Sequence, residues 1–105
     1  MENQLYSIAI VDDHALILQG LVALVAKLEK YHVQATFTKG ADILSYLTEE
    51  RVDLVLLDIS LPDINGLDLC LEIKKIAPTS IVLGLSNHAE RRIILKLMHQ
   101  GASGY

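Results

Sequence analysis

The chain has 105 residues, enough for one small domain. It is 51% hydrophobic and 21% charged, with thirteen acidic against nine basic residues and a formal net charge of -4; this excludes a disordered chain and a strongly basic nucleic-acid-binding surface. The single cysteine, Cys70, excludes an internal disulfide framework and a zinc site built on several cysteines.

Short apolar runs alternate with longer segments at helical spacing. The first run is Ile8-Ala9-Ile10-Val11, stopped by Asp12-Asp13. Ala15 to Glu29 follows as a helix, apolar over a wide arc from Leu16 to Leu28. A sheet face covers only about a 100° stripe of a helix, so this arc calls for a further neighbour. A weaker strand runs from Val33 to Phe37, then an amphipathic helix from Ala41 to Glu50 with Ile43, Leu44 and Leu47 on one side. Leu54-Val55-Leu56-Leu57 is the third strand, stopped by Asp58. Leu67 to Ile76 is helical, with Leu69, Cys70, Ile73 and Ile76 inward and Pro78 just beyond its end. Ile81 to Leu85 is the fourth strand, stopped by Ser86; Ala89 to Gln100 is a helix closed by Gly101, and a fifth strand starts near Ala102. Continuously apolar runs of this length read as strands buried on both faces, and the alternation implies a parallel sheet with right-handed crossovers and helices on both sides. The uncovered arc and the stop within an expected strand lead to the expectation that the sequence is a truncated piece, or an ordered fragment, of a longer chain. No apolar run reaches the roughly 20 residues that span a bilayer, and Met1-Glu2-Asn3-Gln4 lacks the basic start of a signal peptide, so the expected place is the cytoplasm, away from membranes.

In an open parallel sheet, ligands bind beyond the carboxyl ends of the strands. Asp12 and Asp13 end the first strand, Asp58 the third and Ser86 the fourth. Taken singly, each reads first as a helix cap. Taken together, they read as a site, provided the first and third strands are neighbours. Three carboxylates raise one another's pKa and call for a cation, and an all-oxygen set suits Mg²⁺. A carboxylate beside such an ion can act as a nucleophile toward phosphorus. Asp58, alone at its strand end, is the expected acceptor; Asp12 and Asp13 are the expected metal ligands, and the Ser86 hydroxyl is placed to bond a phosphoryl oxygen. His14 reads as a residue that shapes the loop, since Mg²⁺ does not choose imidazole. Asp63 reads as a turn residue, and Cys70 as a small buried hydrophobe.

Asp12-Asp13, Asp58, the loop Leu61-Pro62-Asp63-Ile64-Asn65-Gly66, Ser86 and Tyr105, nineteen positions after Ser86, together resemble the receiver domain of two-component response regulators. Asp12-Asp13-His14 with Gly101-Ala102-Ser103-Gly104-Tyr105 is most similar to the NarL/LuxR type. The resemblance implies a flavodoxin-like (βα)5 fold, a three-layer α/β/α sandwich with strand order 2-1-3-4-5, its final helix lying past this sequence. It also implies phosphoryl transfer from a sensor histidine kinase to Asp58 with Mg²⁺, held by Asp12, Asp13, Asp58 and the backbone carbonyl of Ser60. Ser86 and Tyr105 would be the switch residues, and the chemistry would be limited to phosphorylation and dephosphorylation of Asp58, short of a true enzyme. A homodimer is a possible assembly, and any DNA binding would belong to a C-terminal helix-turn-helix domain past Tyr105. The family lysine falls three positions after Tyr105, outside this sequence. The alternative is a pseudo-receiver that pairs or binds without phosphorylation. A haloacid-dehalogenase-like phosphatase fits poorly, because its D-x-D pair is absent after the first strand, and no Gly/Thr-rich phosphate loop supports flavin binding.

Overall fold

The computed structural model describes residues 5–85. Seven elements follow in order: β1 (Tyr6–Val11), α1 (Ala15–Ala26), β2 (Tyr31–Phe37), α2 (Gly40–Leu47), β3 (Leu54–Asp58), α3 (Gly66–Ile76) and β4 (Ile81–Leu85). The strands form one parallel sheet in the order β2-β1-β3-β4. This is the expected flavodoxin-like order over four strands. The expected helix Ala89 to Gln100 and the fifth strand lie outside the described residues.

The sheet has two unequal sides. On one, Val11, Val55, Leu57 and Val82 meet Ile43 and Leu47 of α2 and Leu69, Cys70 and Ile73 of α3, all buried. On the other, Ile8 and Ile10 meet α1 through Val25, with Leu18, Leu21 and Val22 partly buried. The expectation of strands buried on both faces therefore holds for Ile8 to Val11, whereas Leu54, Leu56 and Leu83 are only half-buried and Ile81 is exposed. Among the described residues one helix covers the second side and two cover the first, which accounts for the difference.

Boundaries also moved. α1 ends at Ala26, three residues before the expected Glu29: the Lys27 N–H reaches back to the Leu24 and Val25 carbonyls, and Leu28 to Val25, closing the helix with tightened turns. α2 ends at Leu47 in the same way, with Thr48 bonding Ser45 through both its backbone N–H and its hydroxyl. Ile76, expected inward, is 37% exposed; it is the last residue of α3. β2 carries an extra residue, Gln34, between the pairs Ile8–Val33 and Ala9–Ala35. Its side-chain amide donates to the Tyr46 hydroxyl at 2.6 Å and the Arg51 carbonyl at 3.2 Å, tying the edge strand to α2 and the loop after it.

At the amino ends of β1 and β3, Asp53 Oδ2 accepts from the Ser7 N–H at 2.8 Å, and the Ser7 hydroxyl accepts from the Asp53 N–H at 3.0 Å. This clasp fixes the β1–β3 register, which pairs Val11 with Leu57. Asp12 and Asp58 follow directly on those two residues, so they emerge side by side at the carboxyl edge.

Candidate functional site

Asp12 and Asp58 are buried, with side chains 5% and 10% exposed, and Asp13 is 29% exposed. One carboxylate oxygen from each of the three, together with a ring nitrogen of His14, falls within 4.8 Å of all the others. The parallel pairing of β1 with β3 is what brings Asp58 to the other three, since 44 or more positions separate it from them in the chain.

The aspartates are not helix caps. Asp12 Oδ1 accepts from the His14 N–H at 2.8 Å and Asp58 Oδ1 from the Ser60 N–H at 2.9 Å, both local loop bonds two residues on. The N-cap of α1 is His14, which makes no side-chain cap bond, and α3 is capped by Asn65, whose Oδ1 accepts from the Leu67 and Asp68 N–H groups. These carboxylates are therefore held in place by the loops and aimed at one another.

That arrangement is electrostatically costly. Burial pushes the Asp58 carboxyl above its ordinary range; the Ser60 N–H draws it back in part, while the negative Asp12 and Asp13 beside it push it up again. A divalent cation among the three would relieve both the burial and the repulsion. The donor set of buried and half-buried carboxylates at one point fits such an ion.

Two residues have roles that sequence reasoning missed. His14 turns its Nδ1 into the cluster, 3.2 Å from Asp13 Oδ1 and 3.4 Å from Asp12 Oδ1; its place directly after the acidic pair was the available signal. Asp63 does more than make a turn: its Oδ1 accepts from the Gly40 N–H at 3.0 Å and its Oδ2 from the Ala41 N–H at 3.1 Å. These bonds hold its carboxyl below the usual carboxylate range, the Gly40 bond foremost. α2 has Lys39 at its N-cap with no side-chain cap of its own, so the loop after Asp58 caps it from outside. Ser60 is exposed in that loop. Ser86 and Tyr105 lie outside the described residues.

A four-stranded parallel sheet with helices on both sides and an acidic site at its carboxyl edge defines the class of fold. Residues 8–105 match the family model "Response regulator receiver domain", and the chain belongs to that family. The transcriptional regulatory protein DegU of Brevibacillus brevis is 30% identical over 104 residues, which are 99% of this chain and 44% of DegU. The signal receiver domain of the response regulator NarL from Mycobacterium tuberculosis superposes with a TM-score of 0.87 at 26% identity, covering 96% of this chain and 82% of that one. The BeF3-activated receiver domain of DrrB, from Thermotoga maritima, superposes with a TM-score of 0.83 at 33% identity, covering 97% and 83%. The NarL/LuxR-type resemblance is met by the similarity to NarL and by that to a LuxR-family response regulator from Aurantimonas; DrrB is an OmpR/PhoB homologue. The chain spans less than half the length of the curated relatives it matches. Among the described residues no helix is long and apolar enough to cross a membrane.

Proposed function

We propose that this receiver domain accepts a phosphoryl group on Asp58 from a phosphohistidine of a sensor kinase, with Mg²⁺ held by Asp12, Asp13, Asp58 and the Ser60 backbone carbonyl. The observation that carries the reading is the convergence of three carboxylates at the adjoining ends of β1 and β3. In the transfer, a carboxylate oxygen of Asp58 forms a bond to phosphorus as the phosphorus–nitrogen bond to the donor imidazole breaks, and the nitrogen keeps its electron pair. The product is an acyl phosphate.

The chain's own residues prepare this step. The Ser60 N–H, bonded to Asp58 Oδ1, fixes the carboxylate plane. Asp12 and Asp13 would hold the cation beside it, and when bound it would supply charge neutralisation at the transferred phosphoryl oxygens. Ser86 would then bond a phosphoryl oxygen and Tyr105 would follow it as the switch, changing a partner-binding surface on the chain's own domain or in a homodimer. DrrB's receiver is activated by BeF3, which supports a phosphoryl switch here. In the full protein the switch would control DNA binding by a C-terminal helix-turn-helix domain; DegU, a relative, is a transcriptional regulatory protein.

Intact-mass spectrometry after incubation with acetyl phosphate and Mg²⁺ tests the acceptor. The expected result is a gain of one phosphoryl group that Asp58→Asn abolishes. No gain, in this chain or in a longer one that includes the family lysine, would leave a pseudo-receiver that works by binding alone.

A further inference from the structure

The receiver reading leaves one member of the acidic site without a part. His14 Nδ1 lies 3.2 Å from Asp13 Oδ1, 3.4 Å from Asp12 Oδ1 and 4.0 Å from Asp58 Oδ2. Adjacent ligands of an ion with bonds of about 2.1 Å stand roughly 3–3.4 Å apart in octahedral or tetrahedral geometry. The imidazole nitrogen is thus already at ligand spacing from two of the carboxylates. The Asp12 and Asp58 side chains are at least nine-tenths buried, and the ring of His14 is 55% exposed.

This donor set differs from the one Mg²⁺ prefers. Mg²⁺ is a hard ion that takes oxygen and keeps several waters, so the imidazole adds little to its binding. First-row transition ions gain from nitrogen, in the order Mn²⁺ < Fe²⁺ < Co²⁺ < Ni²⁺ < Cu²⁺. We propose that His14 makes the acidic site a mixed nitrogen–oxygen site, in which the imidazole strengthens the binding of divalent transition-metal ions and leaves that of Mg²⁺ nearly unchanged. The inference rests on the reading of Asp12, Asp13 and Asp58 as the cation site and adds the class of ion that site selects. A rival account gives His14 only a loop contact with Asp13, and that account predicts no dependence on the kind of metal.

Co²⁺ is the probe, because its visible absorption reports a change of ligand atom. Calorimetric titrations of the whole chain with Mg²⁺ and with Co²⁺, for the wild type and His14→Gln, separate the two accounts. His14→Gln is expected to weaken Co²⁺ by at least about tenfold, the scale of losing one group at a metal site, and to alter the Co²⁺ spectrum. Mg²⁺ affinity is expected to stay within about twofold. Unchanged Co²⁺ affinity and spectrum would overturn the inference, as would Mg²⁺ and Co²⁺ weakening in step. A wild-type chain that binds Co²⁺ through His14 and ignores Mg²⁺ would sink the Mg²⁺ reading while the nitrogen ligand stands. Binding of neither ion would sink both.

Discussion

Gly66 shows how closely the Asp58 loop is packed at the level of single atoms. A Cβ there would lie 2.8 Å from both the Cα and the carbonyl oxygen of Ile59, the residue after Asp58. These are backbone atoms, and the Ile59 N–H is tied to the Leu85 carbonyl at 3.2 Å, so they cannot simply swing aside. Gly66→Ala is therefore expected to cost about 1–3 kcal/mol, the range for overpacking a fitted site. A fall in the urea midpoint with unchanged slope would record it; an unchanged midpoint would mean that the loop yields freely. The glycine of the loop motif was plain in the sequence. Its reason, the close approach of α3's first turn to the Ile59 backbone, belongs to the folded chain.

Among the elements, α2 depends most on something outside itself. Asp63 accepts from its first two N–H groups, and the residue at its own N-cap, Lys39, contributes no side-chain bond. Loss of an N-cap costs about 1 kcal/mol, and an exposed carboxylate gives the lower part of that range. Asp63→Ala should therefore lower stability at neutral pH by about 0.5–1 kcal/mol. The pH dependence has a definite sign. The folded carboxyl titrates below its unfolded value, so its contribution is present above the unfolded value and is lost as pH falls through the folded one. Urea midpoints of the wild type and Asp63→Ala should converge as pH drops through the carboxylate range; a gap that persists in acid would show that the charge is not the cause. α1 presents the opposite case. Its apolar arc, legible in the sequence, stays open among the described residues: Leu16 is 83% and Leu24 57% exposed, and Leu18, Val22 and Ala26 line a groove of about 330 Å³.

At the scale of the whole molecule, the site lowers stability. Asp58 is buried beside two like charges, and its folded pKa lies above the unfolded one. For an acid shifted upward, the cost is absent below the unfolded value, grows as pH rises from the unfolded value to the folded one, and is fully present above it. Asp58→Asn, which keeps the acceptor for the Ser60 N–H, should therefore raise the metal-free thermal midpoint at neutral pH. The gain should vanish in acid, where the wild-type carboxyl is protonated in both states. Mg²⁺ should raise the wild-type midpoint and leave that of Asp58→Asn nearly unmoved, since a bound ion stabilises in proportion to its affinity for the folded state. Equal midpoints for both proteins at neutral pH without metal would contradict this account of the site.

The sequence by itself determined the strands and helices, because alternating apolar runs and helical spacing are local properties of neighbouring residues. It also placed Asp12, Asp13 and Asp58 at strand ends, and the order of the strands came from a family resemblance. That order set β1 beside β3, but only the tertiary structure fixed the register of the pair and the spacing of the carboxylates, so that aspartates 45 or more positions apart share one point. The same holds for the His14 ring turned among carboxylates, for Asp63 as the cap of a helix that begins 23 positions before it, and for the α1 side of the sheet, thinly covered among the described residues. The physical reason is one of range. Periodicity and turn chemistry act over a few residues, whereas pairing of parallel strands and the direction of a side chain depend on elements that meet only after the chain has crossed over.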